Sequence, residues 1–345
     1  MNIGTTHGTF ASRSILSDIF SDLGVFQQPA RGNNMCKRRF FMFPLLLMLL
    51  SGVAQALENG NGLRLQKVSE QVYAVVGPYG GRTPQNLGNN ATFGFVVTDE
   101  GVVLIDSGGT YQGAEAIDRL IKQVTDKPVK YVLNSGGQDH RWLGNGYFKE
   151  RGARVIASEA VVADQHKRLQ DQMFMLGNQV GEKEIVGTEP VYADETFTDS
   201  MRFILGSTVF ELQRVGPAHT PGDSLVWLPR KKIVFTGDVV FVGRIPGVLA
   251  HSNSKGWINA FDAMASLKPK VIVPGHGPVT DLAQSRKDTR DYLAFLRKTV
   301  GNFMESGGDI SDIGTLDQSH FAYLKGYELL KGRNAQQVYQ EMEWE

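Results

Sequence analysis

Apolar positions recur with two different periods along this chain. Residues 65–76 step by two, with Val72, Ala74 and Val76 on one face, and predict a strand. Residues 93–97 and 101–105 predict two more strands around a turn at Asp99-Glu100-Gly101. Residues 111–125 change to helical spacing, with Ile117, Leu120, Ile121 and Val124 in one stripe. An apolar strand at 129–133, a short helix at 142–150 stopped by Gly152, and a strand at 154–157 give a β-α-β rhythm. Residues 158–190 read as polar and helical, with an apolar knot at Met173-Phe174-Met175-Leu176. That knot is either a lid over an apolar substrate or a helix face packed on the core. A second group of strands is predicted at 203–205, 208–214, 224–228, 232–236 and 270–273. A helix near 254–267, with Ser254 as cap and Trp257, Phe261 and Met264 inward, interrupts them. Residues 282–304 predict a long helix with Leu293, Leu296, Val300 and Phe303 on one face, and 309–345 reads as helical.

Polar punctuation closes several of the apolar runs. Asn134-Ser135-Gly136-Gly137-Gln138-Asp139-His140 follows one strand, and Asp139 with His140 makes an oxygen–nitrogen pair suited to a metal. Gly216-Pro217-Ala218-His219, Thr236-Gly237-Asp238 and Pro274-Gly275-His276 follow others. Strand ends are rigid mounts, and loops there point side chains into a cleft.

These phrases resemble the metallo-β-lactamase superfamily, whose members carry H-x-H-x-D-H, then a His, an Asp and a His. The likeness runs from about residue 65 to about residue 296. It is nearest to exported, glyoxalase II-like hydrolases, including accessory proteins of sulfur-oxidation and quinoprotein systems. Gly216 to Asp223, Phe235 to Asp238 and Val273 to Pro278 carry it. The resemblance implies an α/β fold, a four-layer αββα sandwich, with extra C-terminal helices. It implies metal ligands at Asp139, His140, Asp238 and His276, with His219 belonging to a first site. Ser135 and Gly137 stand where the family has its first two histidines. The second site is therefore complete and the first keeps one histidine. One ion is expected, most simply zinc (Zn²⁺), with iron or manganese as alternatives. Asp106 is expected to hold the metal loop rather than bind metal.

The expected reaction is hydrolysis of an ester, thioester or lactam carbonyl by an activated water. His219 or Asp139 would serve as general base, or His219 as a donor to the developing oxyanion. Tyr79, in the Gly- and Pro-rich stretch 77–90, is a candidate substrate contact or a plain hairpin tip. Arg244 and His251 are further candidates for substrate binding. His251 could also swing toward the first site, or be an ordinary loop histidine. The other reading of the whole constellation is a non-catalytic periplasmic binding or accessory protein on the same scaffold.

Composition adds limits. The 345 residues are 41% hydrophobic and 21% charged with no net charge, so a globular chain is expected and no basic stripe points to nucleic acid. Lys37-Arg38-Arg39, an apolar run at 40–50 and Ala54-Gln55-Ala56 read as a signal peptide cleaved after Ala56. Met35 is the better start for it, and Arg38-Arg39-Phe40-Phe41 faintly resembles a twin-arginine signal, so the Sec and twin-arginine routes both stay open. Eleven apolar residues fall short of the roughly 20 that span a bilayer. The expected organisation is an upstream extension and signal at 1–56, the metallo-β-lactamase-like domain at 57–305 and a helical extension at 306–345. The chain is expected in the periplasm or secreted, without stable membrane insertion. It would act on a small molecule, with a possible redox or sulfur-metabolism partner. The single cysteine, Cys36, lies in the removed segment, so no disulfide or thiolate ligand is expected in the mature chain.

Overall fold

Two twisted sheets face each other, and helices cover both outer sides. A computed structural model describes residues 57–58 and 61–345; the expected signal segment, Cys36 and the cleavage site lie outside the described residues. The first sheet runs in simple order through β1 (Leu57–Glu58), β2 (Arg64–Ser69), β3 (Val72–Val76), β4 (Thr92–Val97), β5 (Val102–Ile105), β6 (Val129–Asn134), β7 (Arg154–Ser158) and β8 (Glu195–Phe197). Its first five strands are antiparallel and β5 to β8 are parallel. The second sheet holds β9 (Ser200–Leu205), β10 (Thr208–Arg214), β11 (Ser224–Leu228), β12 (Ile233–Phe235) and β13 (Val271–Val273), with only β12 and β13 parallel.

The strand alternation decides which residues meet between the sheets. Val72, Ala74, Val76, Val96, Val103 and Ile105 of the first sheet pack on Phe210, Leu212, Val226, Leu228 and Phe235 of the second. A Cβ at Gly94 would run into the Phe235 ring, so glycine there sets how closely the sheets approach. The opposite face of the first sheet, with Val75, Phe93, Phe95 and Leu104, buries Ile117, Leu120 and Ile121 of α1 (Tyr111–Lys122). Two short helices, α2 (Asp139–Trp142) and α3 (Asn145–Lys149), and the longer α4 (Glu159–Val180) complete that side. The outer face of the second sheet packs on α5 (Ser254–Ser266), α6 (Leu282–Ser285), α7 (Asp291–Glu305) and α8 (Tyr327–Met342). The four-layer αββα sandwich with C-terminal helices is therefore the fold. Among the described residues no helix is long and apolar enough to cross a membrane.

Local departures from the expected elements have physical reasons. The run 65–76 is two strands rather than one, because Glu70 and Gln71 turn the chain, with Gln71 at φ 66°. The expected helix at 142–150 begins earlier, at Asp139, and breaks between Trp142 and Asn145. The long helix at 282–304 carries a π turn at Arg286–Arg290 between α6 and α7. In the apolar knot of α4, Leu176 is buried in a small cluster with Trp142, while Phe174 and Met175 face outward.

Candidate metal centre

Every loop named by its polar punctuation opens on the same edge of the sandwich. That edge carries the ends of β6, β12 and β13, and loop 216–223 between β10 and β11. The loop after β6 is held from below. The Asp106 carboxylate, on a residue with φ 65°, accepts the Ser135 backbone N–H at 2.7 Å and its hydroxyl at 2.8 Å. Ser135 thus turns its hydroxyl to Asp106. Chain direction then brings Asp139 and His140 onto the first turn of α2.

Three buried side chains converge. His140, Asp238 and His276 offer ligand atoms within 4.8 Å of one another. The Nε2 atoms of His140 and His276 stand 3.3 and 3.2 Å from the two Asp238 carboxylate oxygens. Ligands bonded to one tetrahedral zinc at about 2.0 to 2.1 Å lie about 3.3 Å apart, so the group has the spacing an ion needs. Nε2 of His140 is fully enclosed and makes no hydrogen bond. A buried polar atom left in that state costs stability unless a partner completes it. Nδ1 of His276 faces the Asn90 carbonyl at 3.0 Å; donating there leaves Nε2 as the ligand atom. The residues fit a metal ion.

Arginines surround this group. Arg141 is fully buried; its Nη2 and Nε donate to the Asp238 carboxylate at 2.6 and 3.1 Å. It also donates to Asp106, to the Thr92 carbonyl and to the Gly275 carbonyl. Burial alone would raise the Asp238 carboxyl, but the Arg141 charge and the two histidines hold it well below the usual range. Arg82 contacts the Asp139 carboxylate, and its Nη2 lies 2.6 Å from His140 Nδ1. Against the opposing effect of burial, Arg82 and the His140 hydrogen bonds keep the Asp139 carboxyl depressed. Asp139 therefore lies beside the converging group, 3.2 Å from His140 Nδ1, and is charge-paired to Arg82.

No room is left for a side chain at Gly137. A Cβ at Gly137 would collide with the Asp164 carboxylate, which sits where a side chain at 137 would begin. Asp164 is paired with Arg168, whose Nη1 donates to Gln138 at 3.1 Å, and Gln172 donates to the Gly137 carbonyl at 2.8 Å. These three residues of α4 recur at every fourth position, one helical stripe pressed on the loop. His219 lines the cavity without joining the converging group. Its ring lies parallel to Trp257 at 5.1 Å and to His251 at 6.4 Å, and its Nδ1 has no partner. Burial lowers His219 to about 3 and His251 to about 4, so both are neutral at pH 7.

The cavity over the group measures about 120 Å³ and is lined by Arg82, His140, His219, Phe241, Arg244 and His276, among others. A second cavity of about 310 Å³ shares Arg82, Gln138 and Leu249 with it and is lined further by Asp139, Arg168, Met175 and His251. Arg244 thus lines the first cavity and His251 the second. Tyr79 lines neither; its hydroxyl lies against Gly243. Leu330 of α8 closes one wall. Sequence reasoning missed Arg82, Arg141, Asp164 and Arg168. Only the four-residue spacing of Asp164, Arg168 and Gln172 was a usable signal, and it reads equally as a solvated helix face.

Comparison with known proteins agrees with this geometry. The chain resembles a linear primary-alkylsulfatase from Pseudomonas sp., 19% identical over 253 residues, covering 60% of this chain and 46% of that one. It resembles a metallo-beta-lactamase type 2 from Elizabethkingia meningoseptica, 23% identical over 237 residues, covering 67% and 86%. Among solved structures, a stereoselective inverting sec-alkylsulfatase from Pseudomonas sp. superposes with TM-score 0.63 at 20% identity, covering 80% of this chain and 49% of that one. The chain spans about half the length of the alkylsulfatases it matches. The model of the metallo-beta-lactamase superfamily matches residues 88–276, more than half of the sequence. With fold, converging ligands and family model in accord, the chain belongs to the metallo-beta-lactamase superfamily.

Proposed function

We propose that this chain is an exported metal-dependent hydrolase working with a single ion, held by His140, Asp238 and His276 with Asp139 alongside. The observation that carries the reading is the enclosed, unpartnered Nε2 of His140 aimed at the Asp238 carboxylate beside His276. Two imidazoles and a carboxylate suit zinc best, with iron or manganese also compatible. Such an ion supplies Lewis acidity toward a carbonyl oxygen and activates a water.

The chain's own groups do the rest. Arg141 fixes the orientation of Asp238, and Asp106 fixes the loop bearing His140. His219, neutral at pH 7 with a free Nδ1, is the better candidate for moving a proton at the cavity wall. Asp139, held ionised by Arg82, is the weaker base. The substrate would be an ester, thioester or lactam, and the subtype the glyoxalase II-like accessory type of sulfur or quinoprotein systems. Chelator-sensitive turnover of an acyl substrate, abolished by His276→Ala, tests it; turnover surviving that change contradicts it.

A second reading, a periplasmic binding or accessory protein on this scaffold, is favoured by the Asp164–Arg168 pair lying where a first-site side chain would begin. It predicts ligand or partner retention without turnover.

A further inference from the structure

The helix expected across 282–304 is interrupted by a π turn at Arg286–Arg290, where the Asp291 N–H reaches back to the Arg286 carbonyl. Such turns are rare and recur at functional sites. This one lies past residue 276, where the family match ends. In a regular helix adjacent side chains diverge by about 100°. Here the adjacent Asp288 and Thr289 are both fully buried, and both bond to the stretch that follows Asp238. The Thr289 hydroxyl accepts the Phe241 N–H at 2.9 Å and donates to the Phe241 carbonyl at 2.7 Å. One carboxylate oxygen of Asp288 accepts the Gly243 N–H at 2.8 Å, and the other accepts the Tyr323 hydroxyl at 3.0 Å.

The stretch held in this way bears on two of the three converging side chains. Phe241 pairs with His276 in a parallel bridge, and Val242 donates to the His276 carbonyl at 2.9 Å. The Gly275 N–H donates to the Val240 carbonyl, also at 2.9 Å. The Phe241 ring lies 4.5 Å from the His276 ring, 25° from parallel, and 5.7 Å from the His219 ring. Asp238 opens the same stretch. Trp257 of α5 fixes it from another side, its indole N–H donating to the Val239 carbonyl at 2.9 Å. Val239, Phe241 and Gly243 are thus fixed in turn, and the π turn supplies the last two holds. A displaced Phe241 carries the His276 backbone and ring with it, whereas metal ligands must be held to within about 0.5 Å.

We propose that Thr289 and Asp288 of the π turn are positioning residues for the metal centre, keeping His276 and Asp238 at ligand spacing through Phe241 and Gly243. This role rests on the metal reading of His140, Asp238 and His276. It gives the C-terminal helices a part in the site beyond filling the core.

Cobalt titration of the full chain tests it, because Co²⁺ has a visible spectrum set by its ligand geometry, which d¹⁰ zinc lacks. Thr289→Val keeps the side-chain shape and removes both bonds to Phe241. It is expected to weaken Co²⁺ binding by about tenfold or more and to shift the cobalt spectrum. Thr289→Ser, which restores the hydroxyl, should recover both. Val300→Ala, a change on the core face of α7, should lower stability in urea while leaving cobalt affinity and spectrum unchanged. A folded Thr289→Val with the affinity and spectrum of the unaltered chain overturns the proposal, as does an equal effect of Val300→Ala. If Thr289→Val fails to fold, hydrogen exchange of the unaltered chain decides. Protection of residues 239–243 already present in chelator supports a stretch held by the π turn, and protection gained only with cobalt overturns it. No cobalt uptake by the unaltered chain would remove the metal reading and this role together. Cobalt uptake indifferent to Thr289 would remove this role alone.

Discussion

Arg141 grips both carboxylate oxygens of Asp238, at 2.6 and 3.1 Å, while each of those oxygens also faces a histidine Nε2. One fully buried guanidinium therefore sets the orientation of the carboxylate at the centre of the converging group. It also ties Asp106, the Thr92 carbonyl and the Gly275 carbonyl to the same point.

Replacing Arg141 leaves two carboxylates buried with their main cation gone. Arg141→Met is expected to destabilise the chain by about 3 to 5 kcal/mol, the usual effect of breaking a buried pair from one side. Urea unfolding measures it. A loss below about 1 kcal/mol would mean that the guanidinium is not the hub described.

Histidines at positions 135 and 137, where the family resemblance puts a first site, are not expected to build one by themselves. A side chain at Gly137 must displace Asp164 and so disturb Arg168 and Gln172. Ser135→His with Gly137→His is expected to lose about 1 to 3 kcal/mol from overpacking, with no gain in bound metal. Adding Asp164→Ala and Arg168→Ala should relieve the clash. Elemental analysis of the two variants checks this; a second ion in the first of them contradicts it.

His219 links stability to pH. Its folded value of about 3 lies below its ordinary 6.5, because burial disfavours the charged ring. The unfolded chain therefore binds the extra proton. The stabilising contribution is complete above pH 6.5 and is lost as pH falls toward 3. His251, at about 4, acts in the same direction. Asp223, raised to about 7 by burial, acts oppositely, its contribution fading as pH rises through 7. In chelator, His219→Gln should lose stability less steeply than the unaltered chain between pH 7 and pH 4. Urea unfolding at both pH values reads this, and equal slopes would contradict it.

The C-terminal segment lies beyond the family match, yet it holds the wall of the cavity. Asn334 bonds Val248, Pro246 and Tyr292 from a buried position. Asn334→Ala is expected to cost about 1 to 3 kcal/mol and to speed amide exchange at Val248. Unchanged exchange there would show that α8 does not order this loop.

How much of this is legible in the sequence depends on the kind of signal. Val72, Ala74 and Val76 share a face because strand period is two, and Ile117, Leu120 and Ile121 share one because helix period is 3.6; both faces are core. His140, Asp238 and His276 are legible because each closes an apolar run, and strand ends gather at one sheet edge. Arg141 is not legible: an arginine after a helix start reads as surface, and only tertiary packing buries it. Arg82 sits in a Gly- and Pro-rich stretch whose path is set by side-chain bonds such as Asn86 to the Gly81 carbonyl. Asp164 and Arg168 look like an ordinary i, i+4 pair on a polar helix, and nothing local reveals that Gly137 makes room for them.

The most direct test of the one-ion account is the metal content of the purified chain beside His276→Ala and His219→Ala. The account predicts about one ion per chain, lost in His276→Ala and retained in His219→Ala. Two ions per chain, or loss of the ion in His219→Ala, would contradict it.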